Sequence, residues 1–329
     1  MLVSWNQFAI IFGQLVVYFV NFIIMGDHAN PIFDAAGAIA NWADAEWTVE
    51  TGWRYMFGSE CVPAGLFTFL ICFVPETPRY LVMVGQEEKA YGILSRINGS
   101  NKAHEIIQDI KNTVTVKTEK LFSYGFMCIF VGVMLSVFQQ AVGINAVLYY
   151  APRIFQDMGM SNPMVQTVIM GIVNISFTLV AVFYVEKWGR KPLLIFGSIV
   201  MTVSLAVLAV MNFVGDVAVL AVPTMILIAF YILGFAVSWG PIAWVLIGEI
   251  FPLSVRGIGS SFGSAANWLG NFIVSQFFLV LLDAFGNNVG GPFAIFGVFS
   301  ALSIPFVMRL VPETNGKSLE EIEEEMTKR

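Results

Sequence analysis

Apolar residues run through this chain in blocks long enough to cross a bilayer. A span needs about 20 mostly apolar residues, and eight segments qualify: 2–25, 55–74, 122–150, 163–185, 192–213, 217–247, 257–282 and 292–311. Two connections are long. Residues 26–53, GDHANPIFDAAGAIANWADAEWTVETGW, are acidic and are expected to be irregular or briefly helical. The segment 75–120, which opens on PETPR, reads as short amphipathic helices. In EEKAYGILSRI the apolar Ala90, Ile93, Leu94 and Ile97 fall at i, i+3, i+4 and i+7. The terminal SLEEIEEEMTKR is expected to be a charged helix or a frayed end.

Composition agrees with the pattern. Hydrophobic residues make up 57% of the 329 positions and charged residues only 12%, against about 25% charged in an ordinary soluble domain. The chain is therefore expected to be an all-α, multi-pass membrane protein. The net charge of −6 argues against a nucleic-acid partner. Eight spans is an even number, so both termini lie on one side. Lys and Arg choose the side: fifteen of the 17 fall in 75–120, in EKWGRKP, at Arg256 or in the terminal region, and only Arg54 and Arg153 fall opposite. The positive-inside rule then places both termini and 75–120 in the cytoplasm of a cell membrane.

Cofactor chemistry finds no footing. Cys61 and Cys72 share one apolar segment and Cys128 lies in another, with no metal-ligand spacing and no loop suited to a disulfide. His28 and His104 fall in polar loops and are expected to be solvated. There is no nucleophile–base pair or Gly-rich phosphate loop, so an enzyme is not expected.

What stands out is polar residues inside the spans. They are Gln7 and Gln14, then Gln139, Gln140 and Asn145, then Asn174, Trp244, Asn267, Trp268, Asn271 and Gln276. Any one of these amides can be ordinary glue between helices, and Asn174 and Gln276 are assigned to that role. A cluster means more. A carboxamide both donates and accepts hydrogen bonds, as a sugar hydroxyl does, and no span carries a mid-depth Arg or Lys of the kind an anionic substrate calls for. No mid-depth Asp or Glu is expected in the spans either.

Two stretches predict broken helices. In FQQAVGINAVLYY, Asn145 lies about 140° around an ideal helix from Gln140, so one straight helix cannot aim both into one pocket. Gly143 permits a break, and 144–151 then reads as a pivoting gate. In SWGPIAW, Gly240 and Pro241 interrupt the sixth span ahead of Trp244. Discontinuous helices at the midplane are how secondary transporters build binding sites. The stretch GIGSSFG, with Gly259 and Gly263 spaced for close packing, precedes Asn267–Trp268.

These residues resemble the sugar porter family of the major facilitator superfamily. Within it the chain looks most like the bacterial D-xylose–proton symporters and, more distantly, animal facilitative glucose transporters. PETPRYL, FQQAVGINAVLYYAP, WGRKP, SWGPIAWVLIGEIFPLSVRG and PETNGKSLEEI match family motifs in the family's order. The family has twelve membrane helices in two six-helix halves, and LVSWNQF resembles the start of the fifth. The resemblance thus implies a partial fold of about eight membrane helices, family helices 5–12. About the first four would be absent, as in a fragment or an internal start. It divides the chain into the last two helices of the N-terminal bundle (1–74), a cytoplasmic helical linker (75–120), a C-terminal six-helix bundle (121–311) and a cytoplasmic tail (312–329).

The resemblance also implies roles. Gln7, Gln139, Gln140, Asn145, Trp244, Asn267 and Trp268 would bind the sugar. Tyr149 and Tyr150 would form the outer gate. Glu76, Arg79, Arg190, Glu249 and Arg256 would form cytoplasmic ion pairs between the halves, although helix capping also accounts for them. The implied function is alternating-access symport of a monosaccharide, D-xylose or a related pentose or hexose. It would run as a monomer with no cofactor beyond a proton gradient. A facilitative sugar or polyol carrier and a non-transporting fragment are the alternatives.

Overall fold

The computed structural model describes residues 2–25, 51–114, 126–157, 163–214, 217–251, 255–317, 321–322 and 325–326. Most of the predicted acidic connection, 26–50, lies outside the described residues, as do His28 and part of the terminal helix. The described residues form helices and no strands, and they divide into two compact units.

One unit spans residues 47–120. Here the predicted second span is not one helix but two, α2 (Trp53–Ser59) and α3 (Cys61–Ile71), meeting at Glu60. Pro63 supplies the reason: it has no N–H for the Ser59 carbonyl, so the ladder parts just ahead of it. Glu60 stands exposed at the junction, near the start of the segment predicted as the second span. Neither helix buries a residue. Next come α4 (Pro78–Met83), α5 (Glu87–Asn98) and α6 (Ser100–Val114). Thr77 caps α4 by accepting from the Tyr80 amide, and Pro78 occupies the first turn, where its missing N–H costs little. Leu81, Val82, Ala90, Leu94, Ala103 and Ile107 form a small core with Ile93 packed against it. Ile97, the last member of the predicted stripe, stays exposed. His104 lies in α6 rather than in a loop, and its ring packs on Tyr91 at 4.5 Å between centroids.

The other unit joins residues 1–46 to 121–329. Its helices are α1 (Leu2–Met25), α7 (Phe126–Ala141), α8 (Ile144–Tyr149), α9 (Ala151–Asp157), α10 (Pro163–Trp188) and α11 (Arg190–Val214). They continue as α12 (Val217–Val237), α13 (Trp239–Ile250), α14 (Arg256–Ala284) and α15 (Gly290–Leu310). α1 packs on α10 and α13, α7 on α14, and α11 on both α12 and α15. Trp239, Tyr231, Phe155, Phe251, Phe278 and Phe293 are fully buried in this bundle. Large apolar side chains such as Phe12, Phe230 and Phe272 stay exposed, as lipid-facing positions do. Among the described residues six stretches are long and apolar enough to cross a membrane, in α1, α7–α8, α11, α12–α13, α14 and α15. α10 carries a shorter one, Val165–Ala181. In the tail, Lys317 bonds Glu325 at 2.7 Å, and Ile322 and Met326 are buried four residues apart.

Candidate functional site

The site is built on two interruptions. α7 ends at Ala141 and α8 begins at Ile144. Between them Gly143 has φ +87°, a left-handed conformation that favours glycine. The Phe296 ring also occupies the place a Cβ would need. The break does what the sequence requires: Asn145 Nδ2 donates to Gln140 Oε1 at 2.8 Å across it. The second interruption falls at Ser238, with φ −125° and ψ −85°, earlier than Gly240–Pro241. Pro241 has no N–H to return to Val237, so the helix parts before it. Pro241 itself sits in the first turn of α13, where it is tolerated.

Four buried or part-buried amides connect the two breaks. Asn145 donates to Gln140. Gln140 Nε2 donates to Asn267 Oδ1 at 3.2 Å, and Asn267 Nδ2 donates to Gln139 Oε1. Gln139 Nε2 closes the series on the carbonyls of Trp239 and Gly240, at 2.9 and 3.2 Å. The series runs in one sense, each amide giving a proton to the next. Buried carboxamides left unpaired are costly, and here each pairs with another while keeping valences open. Gln140 and Asn267 each retain one N–H, and the Asn145 carbonyl oxygen accepts from none of the described groups. Gln139 has both its amide protons committed.

The other expected residues are placed as follows. Trp244 is half-buried on α13, one turn beyond Gly240. Gln7 is half-buried on α1, outside the amide series. Trp268 is 67% exposed although its neighbour Asn267 is 5% exposed, so the structure does not join Trp268 to the amides. Tyr149 is about half exposed, with its hydroxyl 3.4 Å from Asn271 Nδ2. Tyr150 donates to the Ser275 carbonyl at 3.3 Å and stacks on Phe278. Gln276 is exposed, and Asn174 is buried with its side-chain oxygen lacking a partner among the described residues.

A family model described as "Sugar (and other) transporter" matches residues 1–326. The chain belongs to this sugar transporter family. It is 43% identical over 332 residues to the D-xylose-proton symporter of Escherichia coli (strain K12), covering 98% of this chain and 64% of that protein. It is 36% identical over 335 residues to the glucose facilitated diffusion protein of Zymomonas mobilis, with 98% and 67% covered. The solved structure of the proton:xylose symporter XylE bound to 6-bromo-6-deoxy-D-glucose matches with a TM-score of 0.80 and 42% identity, over 99% of this chain and 66% of that one. The chain thus has a partial major facilitator superfamily fold and is a multi-pass membrane protein. It spans about two thirds of the length of these relatives. The family is one of transporters, not enzymes.

The sugar transporter motifs also meet at a polar cluster away from the amides. Arg190 Nη2 pairs with Glu249 Oε1 at 3.2 Å, and Thr314 donates to Glu249 Oε2 at 2.6 Å. Arg190 Nη1 also bonds Asn315 Oδ1. Glu313 takes the backbone N–H groups of Arg190 and Lys191, both at 3.0 Å. That carboxylate caps the start of α11 and complements its dipole. Arg256 Nε donates to the Phe251 carbonyl at the end of α13, at 3.2 Å. The Arg190–Glu249 pair therefore joins two helices of one bundle, where the resemblance implied pairs between halves. Glu76 and Arg79 lie in the other unit, both exposed. Sequence reasoning missed Glu313, Thr314 and Asn315, although it had singled out PETN as a motif.

It also missed Trp239, whose Nε1 donates to Ser198 at 2.8 Å, and two buried or half-buried tyrosines, Tyr18 and Tyr231.

Proposed function

We propose that this chain forms the larger part of a monosaccharide transporter that works by alternating access, with D-xylose or a related pentose or hexose as substrate. The observation that carries this reading is the series of four amides linking two helix breaks. A neutral polyol has hydroxyls that both give and take hydrogen bonds, and the open valences of Gln140, Asn145 and Asn267 match that habit. Trp244, one turn beyond Gly240 on α13, offers a flat apolar face for the sugar's C–H groups. Gln7 and Trp268 are further sugar contacts in this reading. Tyr149 and Tyr150 gate the site, both termini face the cytoplasm, and Glu76, Arg79, Arg190, Glu249 and Arg256 steady the inner side.

Proton symport is the mode favoured here. The likeness to the D-xylose-proton symporter of E. coli supports that mode. Facilitated diffusion is the second reading, supported by the likeness to the Zymomonas mobilis protein.

The test joins this chain to the first four helices of the E. coli symporter and measures uptake of labelled D-xylose. Uptake that alkalinises an unbuffered medium supports symport. Uptake without a pH change supports the facilitative reading, and no uptake of any pentose or hexose overturns both.

A further inference from the structure

Two tyrosine hydroxyls hold the two ends of the short helix α8, and their settings differ. At its start, Tyr231 of α12 donates to the Val142 carbonyl at 2.8 Å, just before the turn at Gly143. At its end, Tyr18 of α1 donates to the Leu148 carbonyl at 2.9 Å.

The second bond answers a gap written in the chain. In a continuous helix the Leu148 carbonyl would accept from the N–H of residue 152. Helical pitch runs on through this junction, since Tyr150 N bonds Ala146 O at 3.0 Å and Ile154 N bonds Tyr150 O at 2.9 Å. Residue 152, however, is proline. Leu148 is 5% exposed, so its carbonyl needs a donor from elsewhere in the fold. Tyr18 is prepared to be that donor. Gln14 Nε2 donates to the Tyr18 oxygen at 2.8 Å, which directs the single phenolic proton outward to Leu148. The Tyr18 ring packs beside Gly171 of α10, where a Cβ would stand 3.0 Å from its Cδ2.

We propose that Tyr18 is a releasable latch on the gate segment, and that Tyr231 is its fixed pivot. The assignment rests on the alternating-access reading, in which α1 belongs to one rocking half and α8 to the other. The Tyr18–Leu148 bond then crosses the moving boundary and must part when the gate opens. Tyr231 is fully buried in the same bundle as α8, so its bond to Val142 survives the motion. Tyr18 acts through the gate backbone and is a positioning residue, not a sugar ligand.

The experiment is amide hydrogen exchange on the 329-residue chain in lipid nanodiscs, without sugar. Tyr18→Phe keeps the ring and removes the proton. It should speed exchange across 144–151 roughly fivefold, the effect of one ordinary hydrogen bond, and leave α11 unchanged. Pro152→Ala restores an N–H for Leu148, so in that background Tyr18→Phe should change exchange less than twofold. Unchanged exchange in the first comparison, or an equal rise in both backgrounds, overturns the latch. Binding of D-xylose to the same samples is scored separately: its absence counts against the transport reading and leaves the exchange result standing.

Discussion

Asn267 stands between Gln139 and Gln140, giving an amide proton to the first and accepting one from the second. Neither glutamine bonds the other, although they are adjacent in sequence. A residue on α14 thus sets the orientation of two residues on α7, and through Gln140 that of Asn145 beyond the break.

Replacing Asn267 with Ala should therefore cost more than one contact. It strands the Gln139 oxygen and one Gln140 N–H in a buried setting, at about 1–3 kcal/mol. Thermal unfolding in detergent should show a lower midpoint, and titration calorimetry with D-xylose should show at least tenfold weaker binding.

The two glutamines should separate by phenotype. Gln140 keeps an N–H for a ligand, so Gln140→Ala should lower sugar affinity at least tenfold with expression intact. Gln139 has both protons on the Trp239 and Gly240 carbonyls. Gln139→Ala should lower stability by about 2 kcal/mol through loss of that brace. Parallel melting and binding curves on both variants check the split, and equal effects in both assays would count against it.

Gly143→Ala should be poorly tolerated. The left-handed backbone costs an alanine about 1–2 kcal/mol, and its Cβ would meet the Phe296 ring. Phe296→Ala relieves only the second cost. The double variant should recover part of the lost yield of folded protein, read by size-exclusion chromatography in detergent.

Glu249→Ala should impair turnover more than binding. It removes the partner of both Arg190 and Thr314, worth about 2 kcal/mol for a hydrogen bond to a charged group. Transport rate and sugar affinity, measured in the chimera with the E. coli symporter's first four helices, check this. Normal transport would leave the cluster as helix capping alone.

The sequence foretold much of the site because its signals are local. Gly143 between Gln140 and Asn145 announces a break, and amides in an apolar run announce a need for partners. Trp268 is harder to place from sequence: it follows a buried Asn, but successive helical residues point about 100° apart, and the structure leaves it exposed outside the amide series. The Pro152 signal was legible too, since proline four residues after Leu148 orphans a carbonyl. What could not be read was the donor, because Tyr18 lies 130 positions away and a tyrosine in a span looks like one more apolar residue.

Glu313 makes the stretch after the last span something other than a loose end. It staples the chain's final portion to the first backbone amides of a helix more than a hundred residues earlier. Shortening the protein to remove residues beyond 312 would therefore undo a seam at the start of α11. Cleavage by a protease at that point would report on how tightly the membrane-embedded core is closed.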